Sequence, residues 1–129
     1  MNNHPNAQEL LAIARDTFTV EILPALPEKL RYTGLMIANA MAIAQREIEA
    51  GEAPARAEFE RLRKLLPERS KPLAGDALHS ALAGYNHSFA SEIRAGRFDD
   101  QERAALLDHL RQTTAEKLAV SNPRALNAK

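Results

Sequence analysis

Apolar positions along the chain recur every three or four residues in five stretches, which is the spacing of amphipathic helices and not the alternation of strands. The first stretch runs from about Ala7 to Leu23 and carries Ala7, Leu11, Ala14, Phe18 and Ile22 on one stripe. Asn6 followed by Glu9 is a capping-box pattern at its start, and Pro24 and Pro27 bracket a corner at its end. The second stretch, about Glu28 to Ala50, is apolar on two sides. Leu30, Gly34, Ile37, Met41, Ala44 and Ile48 share one face, and Tyr32, Leu35, Met36, Asn39, Ile43 and Arg46 share another. Only Arg31, Ala38, Gln45 and Glu49 form a strip suited to water, so this helix is expected to be central, with neighbours on both sides. Gly51 is placed to cap its C-terminus.

A third helix begins near Pro54 and ends before Pro67, with Phe59, Leu62, Leu65 and Leu66 along one edge. Residues Pro67 to Gly75, with two prolines and alternating charge, read as a loop. The fourth helix spans about Asp76 to Ala95 on a stripe of Leu78, Ala81, Leu82, Tyr85, Phe89 and Ile93. Asp99 with Glu102 repeats the capping-box pattern and opens a fifth helix, whose stripe is Leu106, Leu107, Leu110, Thr114 and Leu118. That helix should stop at about Ser121, because Asn122 precedes Pro123 and a residue before proline is pushed out of the helical region. The expected fold is all-α: one domain over residues 1–129, an up-down helical bundle of four longer helices plus one shorter helix.

Composition narrows the function classes. Seventeen Lys and Arg balance seventeen Asp and Glu, so the basic excess of a nucleic-acid binder is missing and no nucleic acid is expected as a partner. The absence of Cys removes disulfides, thiolate nucleophiles and Cys-ligated metal, and fits a reducing cytoplasm. Met1 to Pro5 lacks the positive-then-apolar pattern of a secretory signal, and Leu35 to Ala44 is too short to span a bilayer. The expectation is a cytoplasmic protein with no membrane partner.

Catalytic constellations fail on spacing. His79 and His87 are eight residues apart and diverge on a helix, while His4 and His109 have no neighbouring ligand, so surface or capping roles are expected for all four and no metal is called. Ser80, Ser88, Ser91, Thr113 and Thr114 lie inside helices without the sharp turn that exposes a nucleophile. Glu58 and Glu60, two apart on a helix, do not face each other and read as solvated charges. No cofactor loop is present, and the balance leans away from an enzyme. Were there catalysis, His79 near Asn86 would be the first acid/base candidate.

Polar residues on the apolar faces are the better candidates. Asn39 and Asn86 either fix helix register through satisfied hydrogen bonds or join Tyr32, Arg46 and Lys117 in a polar-lined cleft for a small anion. In the second case Arg46 or Lys117 supplies the counter-charge.

Three segments, IANAMAIAQREIEAGE (Ile37 to Glu52), EIRAGRFDD (Glu92 to Asp100) and HLRQTTAEKLAVSNPR (His109 to Arg124), resemble an uncharacterised bacterial family, a domain of unknown function of similar size. Its most specific piece is the closing KLAVSNPR, where the family favours alanine at Ser121. The resemblance implies a small helical protein without assigned activity, commonly encoded beside aminoglycoside-phosphotransferase-like kinases and acyl-CoA dehydrogenases. From the matching segments it picks out Asn39, Arg46, Lys117, Asn122 and Arg124. Together with the missing catalytic constellation, the resemblance implies a non-enzymatic accessory protein docked to a phosphotransferase-like kinase or acyl-CoA dehydrogenase, with an apolar patch around Leu65, Leu66 and Leu73 as the expected docking surface. The alternative is a bundle that binds an acyl thioester or other anionic ligand. Leftover apolar surface would make it a homodimer.

Overall fold

The computed structural model describes residues 3–66 and 74–128, and within them every regular element is helical. The elements are α1 (Ala7–Thr17), α2 (Glu28–Ala50), α3 (Ala53–Leu65), α4 (Gly75–Arg94), α5 (Arg103–Ser121) and the four-residue α6 (Pro123–Leu126). The all-α expectation therefore holds. No helix among the described residues is long and apolar enough to cross a membrane. The loop expected at Pro67–Gly75, and Leu73 with it, lies outside the described residues as far as Leu73.

Local chemistry sets the ends. The Asn6 side chain accepts the Glu9 N–H at 2.9 Å while Glu9 accepts the Asn6 N–H at 2.7 Å, the reciprocal box expected from the sequence. The Asn6 N–H, and then His4, hold the Glu9 carboxyl below its ordinary range. Gly51 ends α2 at φ +58, a conformation that a side chain would strain. Asn122 caps the end of α5, its N–H donating to the Leu118 carbonyl, and Pro123 starts α6. The box expected at Asp99 and Glu102 does not form: Glu102 is the N-cap and makes no side-chain cap bond. The turn before it buries Phe98, 1% exposed, against Phe89 at 5.3 Å between ring centroids.

Beyond Thr17 the first helix widens into a π turn, Phe18–Ile22, closed by the Leu23 N–H on the Phe18 carbonyl, and then tightens into a 3-10 turn, Leu23–Ala25. The extra residue shifts the register. Leu23 takes the face expected for Ile22, and Ile22 points to solvent. Leu23 and Leu26 close on Gly34 of α2 so tightly that a Cβ there would lie 2.6 Å from a methyl of each.

The core is not where the two-sided pattern of α2 placed it. Phe59, Leu62 and Leu66 from α3 and its end pack with Leu78, Leu82 and Phe89 of α4 and with Phe98. The helix expected as the shorter addition is thus the middle of the core, with α4 and α5 against it. By contrast α2 lies against α1 on one side and α5 on another, and buries only Gly34 and Ala42. Ala38 and Gln45, expected in the water strip, are half-buried, while Tyr32, Leu35 and Met36 are exposed. On α5, Leu107, Leu110 and Thr114 of the expected stripe are exposed, and His109 is the buried position. Leu65 and Leu66, expected as a docking patch, belong to the core.

Candidate functional site

Two clefts divide the polar residues that the sequence singles out. The first, about 590 Å3, opens between the end of α1, the middle of α2 and the α5–α6 junction. Arg15 and Thr19 come from α1 and the π turn, Asn39 and Arg46 from α2, and Asn122 and Arg124 from the junction. Each has a local reason to be there. Asn39 and Arg46 are seven residues apart, two turns of one helix, so both face the same side. Asn122 and Arg124 flank Pro123, whose ring pushes Asn122 out of the helical region and so ends α5 beside the cleft. Arg46 Nε donates to the Val120 carbonyl at 2.6 Å, which ties α2 to the last turn of α5. Leu23, Leu35 and Ala42 give the cleft an apolar wall.

Its electrostatics are one-sided. Three arginines line the cleft and no carboxylate does. Among the described residues none of Arg15, Arg46 and Arg124 is in an ion pair. Arg15 Nε is buried without a hydrogen-bond partner. Guanidinium groups gathered this way raise a positive potential that only an anion relieves.

The second cleft, about 410 Å3, lies between the end of α2, α3, α4 and α5, and contains Glu58, His79, Glu116 and Lys117. Asn86 donates from Nδ2 to Glu58 Oε1 at 2.9 Å, and Lys117 Nζ stands 3.9 Å from the same oxygen. Glu58, expected as a solvated charge, is instead 7% exposed and held inside this network. Arg61 grips Glu116 in a two-pronged pair at 2.9 and 2.6 Å and reaches Thr113 at 3.1 Å. The His79 ring lies with Nδ1 2.9 Å from the Gly75 carbonyl, a bond within its own helix. His109, expected at the surface, is buried edge-on to Phe89 at 5.1 Å, and burial followed by the nearby Arg61 charge pushes its imidazole below the usual range. Here Lys117 and Arg61 each already face a carboxylate, and Glu47 adds a third, so the cleft offers an anion no spare guanidinium or ammonium. Among the described residues no three His, Asp or Glu side chains gather as a metal-ligand group.

The single cleft joining Tyr32, Asn39, Arg46, Asn86 and Lys117 does not form. Asn39, Arg46, Asn122 and Arg124 meet in the first cleft, while His79 and Lys117 line the second and Asn86 reaches its Glu58. Tyr32, 75% exposed, lines neither.

A family model described as "Domain of unknown function (DUF6285)" matches residues 24–125. The chain belongs to the DUF6285 family. No curated protein and no solved structure matches it. The DUF6285 match takes in Asn39, Arg46, Asn122 and Arg124, on two of the three sides of the first cleft. Arg15 and Thr19, contributed by α1 and the π turn, precede the matched residues. Both were missed in the sequence, although Arg15 carries a readable signal: it sits four residues after Leu11 on the half-buried face of its helix, where a charge is out of place.

Proposed function

We propose that this DUF6285 protein is a non-catalytic binding module for a small organic anion, held in the cleft between α1, α2 and the α5–α6 junction. The observation that carries the reading is the meeting of Arg15, Arg46 and Arg124 without a carboxylate partner. The guanidinium fork suits carboxylate and phosphate, which it grips through two parallel hydrogen bonds. A volume of about 590 Å3 falls within the range of small-molecule sites. The apolar wall of Leu23, Leu35 and Ala42 favours an anion with an apolar body, such as an acyl thioester, over inorganic phosphate alone.

A thermal-shift series with inorganic phosphate, coenzyme A and acyl-CoAs tests this. A ligand at a hundredfold its Kd stabilises the native state by about 2.7 kcal/mol, a rise on the order of 10 °C for a domain of this size. Arg15→Gln and Arg124→Gln should remove the rise without lowering the melting point of the unliganded protein, since each relieves repulsion in the empty cleft. No rise across the series at low salt, or equal rises in the variants, would sink the proposal.

A second reading, an accessory protein of a phosphotransferase-like kinase or acyl-CoA dehydrogenase, is favoured by the apolar side chains exposed on α1 and α2. Co-expression with those enzymes and size-exclusion chromatography tests it, through co-elution or separate peaks.

A further inference from the structure

Ten of the thirteen large apolar side chains exposed among the described residues lie between Leu10 and Ile48, on α1, the turn after it and α2. From Tyr32 to Gln45 the outer helix α2 carries no charge over fourteen residues, although only Gly34 and Ala42 are buried there. Within this region Lys29, Thr33, Met36, Ala40, Ile43 and Glu47 follow a 4-3-4-3-4 spacing, the repeat of a coiled-coil seam. On an ideal helix the six span an arc of about 80°, roughly opposite the Gly34 face that meets α1. All are exposed except Ile43, which is half-buried.

The seam reads the same from both ends in complementary terms. About a centre at position 38, Lys29 mirrors Glu47, Thr33 mirrors Ile43 and Met36 mirrors Ala40. We propose that α2 pairs antiparallel with the α2 of a second copy of this chain, in a two-fold dimer with Lys29 against Glu47 of the other copy at each end and Met36 packed over Ala40 in between. A closed two-fold interface is self-complementary, and this pattern satisfies that condition along its whole length. A parallel pairing would set Lys29 against Lys29 and Glu47 against Glu47, which like-charge repulsion disfavours. Neither Lys29 nor Glu47 is in an ion pair within the chain among the described residues, so both are free to pair across the seam.

Sedimentation equilibrium of the full chain over a wide concentration series tests the pairing. The expected mass is twice the 14.2 kDa of one chain. Lys29→Glu places two carboxylates together at each end and should weaken the dimer about tenfold. Lys29→Glu with Glu47→Lys restores opposite charges at both ends and should recover the original affinity. Ala40→Glu puts a charge at the middle of the seam and should leave monomers with an unchanged helical spectrum, because position 40 is exposed in the single chain. A monomer at every concentration overturns the dimer. A double charge swap no tighter than Lys29→Glu alone overturns the antiparallel register, and so does a dimer indifferent to Ala40→Glu.

Discussion

Replacing Leu62 with alanine separates a core centred on α3 from one centred on α2. Leu62 is fully buried, in the cluster that joins Phe59, Leu78 and Leu82. With α4 and α5 both packed on α3, the space left by the lost methyl groups has little room to collapse. Transfer and cavity terms together put the loss at about 3–5 kcal/mol. Set against a total of about 5–15 kcal/mol for a domain, this is roughly a fifth or more of the stability. It corresponds to a fall in Tm on the order of 10–20 °C. The control is Ile13→Ala on α1, whose side chain is already 58% exposed and should cost about 0.5 kcal/mol or less. Thermal melts followed by far-UV circular dichroism, with urea midpoints at constant slope, measure both. Equal losses at the two positions would refute the placement of the core, and so would a Leu62→Ala loss below about 1 kcal/mol.

Glu116→Ala leaves the largely buried Arg61 without its carboxylate and should cost about 1–3 kcal/mol by urea unfolding, whereas Arg61→Met with Glu116→Leu should recover most of it. His109 has its imidazole held below the ordinary range, so the unfolded chain takes up its proton first as the solution is acidified. Its contribution is intact above about pH 6.5 and is lost as pH falls toward the lowered folded value; His109→Gln should flatten that part of the Tm-against-pH curve, and an unchanged slope would refute the assignment. Gly34→Leu forces a side chain into the space of Leu23 and Leu26 and should cost about 1–3 kcal/mol, seen as a lower Tm and faster proteolysis within α1.

Signals written in a few neighbouring residues were legible. Pro27 and Gly51 bound α2, Asn6 and Glu9 start α1, and Asn122 before Pro123 stops α5, because caps and proline act within one turn. The faces of α2 were not legible. Periodicity shows that two sides of that helix are apolar, yet which side is buried depends on helices distant in sequence, and here α3 took the core. Glu58 and His109 were misread for a related reason: each is covered by another element, Glu58 by Asn86 of α4 and His109 by Phe89. The candidate site was half legible. Asn39 and Arg46 stood out as polar groups on an apolar face and Asn122 and Arg124 through the family resemblance, whereas Arg15 and Thr19 join them through a turn that no 3.6-residue period describes.

The π turn also changes what happens when the chain loses a residue. At most helical positions a one-residue deletion rotates everything beyond it by about 100° and takes a buried face out of contact. Across Phe18–Ile22 the opposite holds. Phe18 and Leu23 already share a face five residues apart, and removing Val20, which is 72% exposed, brings them to the ordinary spacing of four. The shortened chain should relax to a plain α-helix and keep Leu23 against Gly34, with its melting temperature little changed. If that variant loses anion binding while keeping its stability, the inserted residue serves the ligand and not the fold.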